Sequence, residues 1–389
     1  LKKYVSLFLV TMMIAAIPVI GLAAQPGSNY MTRQEFLNDL IKEAGIDLGG
    51  KDVSQYVVDN RILEGDGKGN LLLSEPITYE QIATILSRFY GLSMIDAHQV
   101  EGSEYVYALE EGLIPQDAPL NEKVTEDEGQ QILSKIFDNY SKVKDLIDDT
   151  KNTTVKSGSL NGNMKVNVGF NNGASSSSFD TVSAQVYADY NLDQGIHEVL
   201  SMSIPNADSM TVEEYIMGDK VYVKSPDGEW SYMTVPGMSN IMNLEKLQQN
   251  NLLSKDVLYR YAGTSYLNGK AVNVVYAYTK ITDMSKVDDL INTLGLGNLL
   301  EGMKYSDLFD GLYGKYVYYI DANTNTVSKL DMLLKIAYKQ GAKVGGVEMP
   351  LKWEMVSGSI VYSNVNGNIN VVLPDDAKNA KELTVPAQN

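Results

Sequence analysis

Cysteine is absent from this chain of 389 residues. Its absence excludes disulfides, thiolate zinc sites, thiol nucleophiles and a lipid anchor on cysteine. Stability has to come from apolar cores and helix caps. Histidine is nearly absent as well: only His98 and His197 occur, far apart and with no metal-ligand partner at helical spacing. There is no Gly-x-Ser-x-Gly element, which argues against a serine hydrolase of that type. Positive charge is also in short supply. Lys and Arg number 32 against 49 Asp and Glu, a net charge of −17. A surface this acidic repels phosphate backbones and argues against nucleic acid as a partner. What remains is 44% hydrophobic and 21% charged, enough to bury real cores in two domains of ordinary size.

The long hydrophobic run lies at the start. Lys2 and Lys3 precede an apolar stretch from Tyr4 to Ile20, and Gly21-Leu22-Ala23-Ala24 supplies small residues for cleavage. Residues 1–24 therefore read as a secretory signal peptide, and the rest is expected to work outside the cytoplasm. The alternative is an uncleaved anchor, since the run is near the length of a membrane span.

Residues 30–140 carry an internal repeat. Met31-Thr32-Arg33-Gln34-Glu35, Ile77-Thr78-Tyr79-Glu80-Gln81 and Val124-Thr125-Glu126-Asp127-Glu128 open alike. Each sets a Thr at the N-cap with Glu or Gln three residues on, the pattern of a capping box. Met31 with Phe36 and Ile77 with Ile82 add hydrophobic staples, which Gly129 breaks in the third copy. Amphipathic helices follow, marked by Leu37, Leu40 and Ile41, then Ile82, Ile85, Leu86 and Phe89, then Ile132, Leu133, Ile136 and Phe137. A shorter helix precedes the second and third copies, Tyr56–Leu63 aligning with Tyr107–Ile114. The glycine-rich stretch at 65–70 fails both the calcium-loop and the phosphate-loop patterns and reads as a plain turn.

This order of features resembles S-layer homology repeats: short helix, Asp66-Gly67 turn, Pro76, Ile77-Thr78, and a helix ending at Gly91-Leu92. The resemblance implies a pseudo-threefold bundle that associates with secondary cell-wall polysaccharide of Gram-positive walls. Within the Thr-Arg-Ala-Glu-like element it points to Arg33 and Glu35 as polymer-binding residues. Tyr79 and Glu126 stand where the other two copies would carry the Arg.

Residues 141–154 are polar and read as a helix extension or linker. From 155 to 383 the period becomes two. Met164, Val166, Val168 and Phe170 alternate with polar residues, as do Val272, Val274, Tyr276 and Tyr278, and Met332, Leu334, Ile336 and Tyr338. Further strands are expected near 181–190, 197–204, 212–224, 229–235, 315–321, 352–363 and 368–373. Turns such as Gly218-Asp219, Asn268-Gly269 and Asn366-Gly367 join them as hairpins. Two amphipathic insertions, one from Met238 to Leu247 and one from Ser285 to Leu294, are expected to cover an apolar sheet face. The fold class that emerges is α+β: an all-α repeat bundle, then a curved antiparallel sheet or open barrel with covering helices.

That second part resembles the LolA- and LppX-like lipoprotein-carrier fold. The residues that carry the likeness are Lys220-Val221-Tyr222-Val223-Lys224 with Asp227-Gly228-Glu229-Trp230, Tyr266-Leu267-Asn268-Gly269-Lys270, and Asn370-Val371-Val372-Leu373-Pro374. The resemblance implies a hollow for acyl chains, an apolar or lipidic ligand, and Tyr222, Trp230 and Trp353 as lining candidates. No cofactor or metal is expected. Three classes stay open: a wall-associated protein that binds an apolar ligand, a structural or interaction protein with a filled core, and a glycosidase using two carboxylates. The non-enzymatic binding protein is the preferred expectation.

Overall fold

A computed structural model describes residues 30–95, 104–170, 182–203, 208–225, 227–241, 257–293, 304–344 and 346–383. The signal peptide, His98, residues 242–247 of the first apolar insertion and Leu294 of the second lie outside these residues. The first part is helical: α1 (Arg33–Glu43), α2 (Val53–Asp59), α3 (Tyr79–Phe89), α4 (Leu92–Ile95), α5 (Glu104–Glu110), α6 (Glu126–Phe137) and α7 (Tyr140–Asn152). No described helix is long and apolar enough to cross a membrane.

All three capping boxes form. The hydroxyls of Thr32, Thr78 and Thr125 accept from the amides of Glu35, Gln81 and Glu128, whose side chains accept in return from the Thr amides. Each cap satisfies otherwise orphaned helix donors and stabilises by about 1 kcal/mol. The residues just before the caps close a ring. Met31 N–H donates to Val124 O, Val124 N–H to Ile77 O, and Ile77 N–H to Met31 O, each at 2.9 Å. All three side chains are fully buried. Three equivalent helix starts thus meet around one pseudo-threefold centre. The missing staple in the third copy has a steric cause: a Cβ on Gly129 would lie 2.2 Å from Met31 Sδ.

The short helices end alike too. Arg61 N–H bonds Val58 O and Ile62 N–H bonds Val57 O after α2; Gly112 N–H bonds Leu109 O and Leu113 N–H bonds Ala108 O after α5. Both are Schellman endings, whose pivotal residue adopts the left-handed region. Gly112 has φ 64° and Arg61 φ 52°. The expected loop at 65–70 is a turn built on Asp66, whose carboxylate accepts from Lys68 N, Asn70 N and Asn70 Nδ2.

The second part is a sheet of twelve strands among the described residues: β1 (Ser157–Phe170), β2 (Val182–Asn191), β3 (Gly195–Ser203), β4 (Met210–Met217), β5 (Lys220–Lys224), β6 (Trp230–Thr234), β7 (Val257–Leu267), β8 (Lys270–Ile281), β9 (Phe309–Asp321), β10 (Val327–Tyr338), β13 (Leu351–Ser363) and β14 (Lys381–Glu382), with a separate small hairpin of β11 (Lys343–Val344) and β12 (Val347–Glu348). The order is β14-β6-β5-β4-β3-β2-β1-β13-β10-β9-β8-β7. Every pair is antiparallel except β14 with β6. The sheet is open, with β14 and β7 at its ends. Short helices α8 (Met238–Ile241), α9 (Ser285–Thr293) and α10 (Tyr305–Leu308) lie between strands in the chain.

Two expectations change. The stretch 368–373 is not a strand: Val371 N–H donates to the side chain of Gln194 instead of to a ladder, and Val371 packs beside Tyr215 and Trp230. The stretch 212–224, expected as one strand, is two, β4 and β5, joined at the expected Gly218-Asp219 turn, where Gly218 has φ 62°.

Candidate functional site

In an antiparallel ladder, directly paired residues share a face, so the register sorts side chains across the sheet. One face carries rows of apolar residues. Met332 on β10 pairs with Gly358 on β13, then Met164 on β1, Ala184 on β2, Met202 on β3 and Met210 on β4. A neighbouring row runs Leu330, Ile360, Gly162, Val186, Leu200 and Val212 across the same six strands. A third holds Leu334, Val356, Val166 and Val182. The reverse face of these strands presents Asn161, Asn163 and Lys165 on β1 and Lys329, Asp331 and Lys335 on β10.

The apolar rows are not closed into a core. All twelve residues of β10 are half-buried, as are Met164, Val166, Leu200, Met202 and Val212, and Met210 is exposed. At the β7–β9 end, α7 covers this face: Val143 and Leu146 pack on Val275, Ile320, Tyr259 and Tyr318. Small residues alternate with large ones. A Cβ on Gly358 would meet Asn163 O at 2.3 Å and Met164 Cγ at 2.9 Å, so Met164 closes over that glycine. A methionine-rich surface adapts its shape to what lies on it. One row breaks the apolar pattern. Glu198 on β3 lies directly across from Glu214 on β4, with Ala188 and Val223 on either side. Burial raises both carboxyls above the ordinary value, and for Glu198 the neighbouring Glu214 adds to it.

The opposite face at the β7–β9 end meets the helical bundle. Tyr278 packs at 1% exposure in the same apolar cluster as α1, α3 and α6, with Tyr90 4.8 Å from it ring to ring. Cations on the strands cap the ends of helices in the bundle. Lys280 Nζ donates to Asn60 O at 2.5 Å and Arg88 O at 2.9 Å, and Arg260 Nη2 donates to Glu111 O at 3.1 Å. Positive charge at a helix C-terminus is favourable. Burial, then Arg61 and Arg88, lower the Lys280 pKa to about 8. The Glu111 carboxylate also holds Lys315 Nζ and, at 3.1 Å, the hydroxyl of Tyr278.

Arg33 is engaged within the bundle. Its Nε donates to Gln81 Oε1 at 3.2 Å and its Nη1 to the carbonyls of Leu71 and Leu72. Glu35 is the capping partner of Thr32, whose amide and hydroxyl hold its carboxyl below the usual range. The structure does not bring Tyr222, Trp230 and Trp353 onto the apolar face. Period two places Tyr222 and Trp230 on the other face, where Trp230, 7% exposed, packs with Tyr215, Val371 and Ala377 and Tyr222 lies against that cluster. Trp353 pairs with Gly169 and Ala337 on that same opposite face. His197 stacks on Tyr215 and meets Glu213 at 3.2 Å. Among the described residues, no group of three or more His, Asp or Glu is placed to hold a metal ion.

Residues 142–382 match a family of unknown function, DUF6612. The match begins within α7 and ends at β14. No curated protein matches the sequence. Among solved structures the likeness is distant. LprF from Mycobacterium bovis is 14% identical with a TM-score of 0.34, covering 61% of this chain and 98% of that one. The lipoprotein LppX from Mycobacterium tuberculosis is 16% identical at 0.30, covering 60% and 97%. A putative outer membrane lipoprotein-sorting protein domain from Vibrio parahaemolyticus is 11% identical at 0.21, covering 60% and 95%.

Proposed function

We propose, for a chain that belongs to the DUF6612 family of unknown function, that it binds an apolar ligand of the lipid or acyl-chain class outside the cytoplasm. The observation that carries the reading is the half-exposed apolar face running from β10 through β4, with Met332, Met164 and Met202 in its central row. Each methylene removed from water contributes about 0.8 kcal/mol. Some ten methylenes would supply roughly 8 kcal/mol, against an association cost that starts near 4 kcal/mol. The row with Glu198 and Glu214 would accept a neutral or cationic polar end and repel a carboxylate, which would lie away from it. In this reading the protein acts as a binder and not as an enzyme.

The pseudo-threefold bundle is the part we would assign to association with an anionic wall polymer. Arg33 and Glu35 are its candidates, though both already serve hydrogen bonds inside the bundle. Displacement of a fluorescent fatty-acid probe tests the main reading. Saturable binding that is lost in Met164→Lys and kept in Trp353→Phe is expected, with both variants folded by circular dichroism. Absence of binding by the wild-type chain, or binding untouched by Met164→Lys, would remove the apolar face from consideration.

A further inference from the structure

A cavity of about 310 Å³ opens where the ends of α2 and α3 meet β8 and β9, away from the apolar face. Three cations line it, Arg61, Arg88 and Lys280, with Glu64 and Glu104 as its carboxylates. Both carboxylates are committed to Arg88, at 3.0 and 3.2 Å. Lys280 spends two of its three N–H groups on Asn60 O and Arg88 O. The side chain of Arg61, an exposed residue, has no hydrogen-bond or ion-pair partner among the described residues. A cluster with an excess of positive charge is unexpected in a chain of net charge −17.

The backbone at Arg61 sharpens the point. It is the pivot of a Schellman ending at φ 52°, a conformation that favours glycine. The equivalent position after α5 is Gly112, with φ 64°. The copy that faces the cavity thus carries an arginine in a strained position where its sibling carries glycine. Strain held at one such position is a recurrent mark of a binding role.

We propose that this cavity binds a phosphate-bearing small molecule or headgroup, with the Arg61 guanidinium as its principal contact and Lys280 and Arg88 behind it. The donors converge from the end of α2, from α3 and from β8. A tetrahedral oxyanion offers acceptors toward all three, whereas a planar carboxylate offers two. The guanidinium fork matches phosphate oxygens bidentately.

The test uses the full chain and titrates glycerol 3-phosphate and inorganic phosphate by calorimetry, with phosphatidylglycerol vesicles in a sedimentation arm. Saturable binding that falls about tenfold or more in Arg61→Gly is expected. Arg61→Lys should keep part of it. Unliganded Arg61→Gly should melt no lower than wild type, because glycine relieves the left-handed strain, so lost binding cannot be blamed on misfolding. Vesicle binding that needs Arg61 identifies a lipid headgroup as the source; binding of the soluble phosphates alone identifies a free phosphate ester. The proposal is overturned by absence of binding in every arm, by binding that survives Arg61→Gly, or by succinate binding as tightly as glycerol 3-phosphate. Fatty-acid probe binding should be equal in wild type and Arg61→Gly, which separates this site from the apolar face.

Discussion

Removing the Glu111 carboxylate should loosen the seam between bundle and sheet. In Glu111→Ala, Lys315 loses its acid partner, the Tyr278 hydroxyl loses its acceptor, and Arg260, 3.8 Å away, loses its counter-charge. The side chains of Glu111, Arg260 and Lys315 are only 15%, 17% and 25% exposed. Breaking a fully buried pair costs 3–5 kcal/mol, and an exposed one less than about 1. Partial exposure puts this site between those limits, so a loss of about 2–3 kcal/mol is expected. The backbone carbonyl of Glu111 still accepts from Arg260, which keeps the α5 end docked. Urea denaturation gives the magnitude, and near-ultraviolet circular dichroism reports the packing of Tyr90, Tyr276 and Tyr278. Adding Lys315→Met should restore about 1 kcal/mol or more, because the cation left without a partner is then gone. A Glu111→Ala variant within 0.5 kcal/mol of wild type, or a double variant whose loss is the plain sum of the singles, would refute the claim that this carboxylate holds the seam.

Three further outcomes are expected. Thr78→Ala removes one capping box and should cost about 1 kcal/mol in the urea unfolding of the bundle; an unchanged midpoint would mean the ring of Met31, Ile77 and Val124 sets the helix start unaided. Gly129→Ala gains up to about 1 kcal/mol of helix propensity but drives a methyl into Met31, which is 1% exposed. A net loss of about 1 kcal/mol is expected by thermal melting; in a Met31→Ala background, itself destabilised by about 2–5 kcal/mol, the same Gly129→Ala change should become neutral or favourable. Glu198 and Glu214 have folded pKa values raised above 4.5. Their contribution to stability is full below 4.5 and is lost as pH rises through the raised values. Glu198→Gln should therefore lose less stability than wild type between pH 4.5 and 7, and parallel pH profiles for the two would count against the assigned burial.

Much of this architecture is legible in local chemistry. Thr followed by Glu or Gln three residues later identifies three helix starts, and all three boxes form. Alternation in Met164–Val168 and Met332–Ile336 identifies strands and also the face they share. It fails only at Phe170 and Tyr338, where bulges shift the register. The expected strand at 368–373 fails for a different reason: alternating residues there pack on the sheet without pairing to it. The aromatic lining candidates illustrate the limit of period two. It says that Tyr222 and Lys224 share a face, but only the pairing of Lys224 with Trp230 brings Trp230 to it, and neither says which face is apolar across the whole sheet. Lys280 continues the series Tyr276, Tyr278, and nothing local marks it as the cap of two helices 192 and 220 residues earlier in the chain.

By itself the sequence determined the elements, because caps, staples, hairpin glycines and hydrophobic period are set by neighbours within a few residues. It also determined the compartment-neutral exclusions: without cysteine there is no thiol chemistry and no disulfide to staple the fold. Only the tertiary structure decided that β1 sits between β2 and β13, so that Met164, Met202 with Met210, and Met332, from three separate parts of the chain, fall into one row. Only it decided that Arg61, Arg88 and Lys280 share a cavity. Pairing order and the meeting of helix ends with strand cations depend on how whole layers pack. That is a sum over contacts far apart in the chain, to which no local pattern gives access.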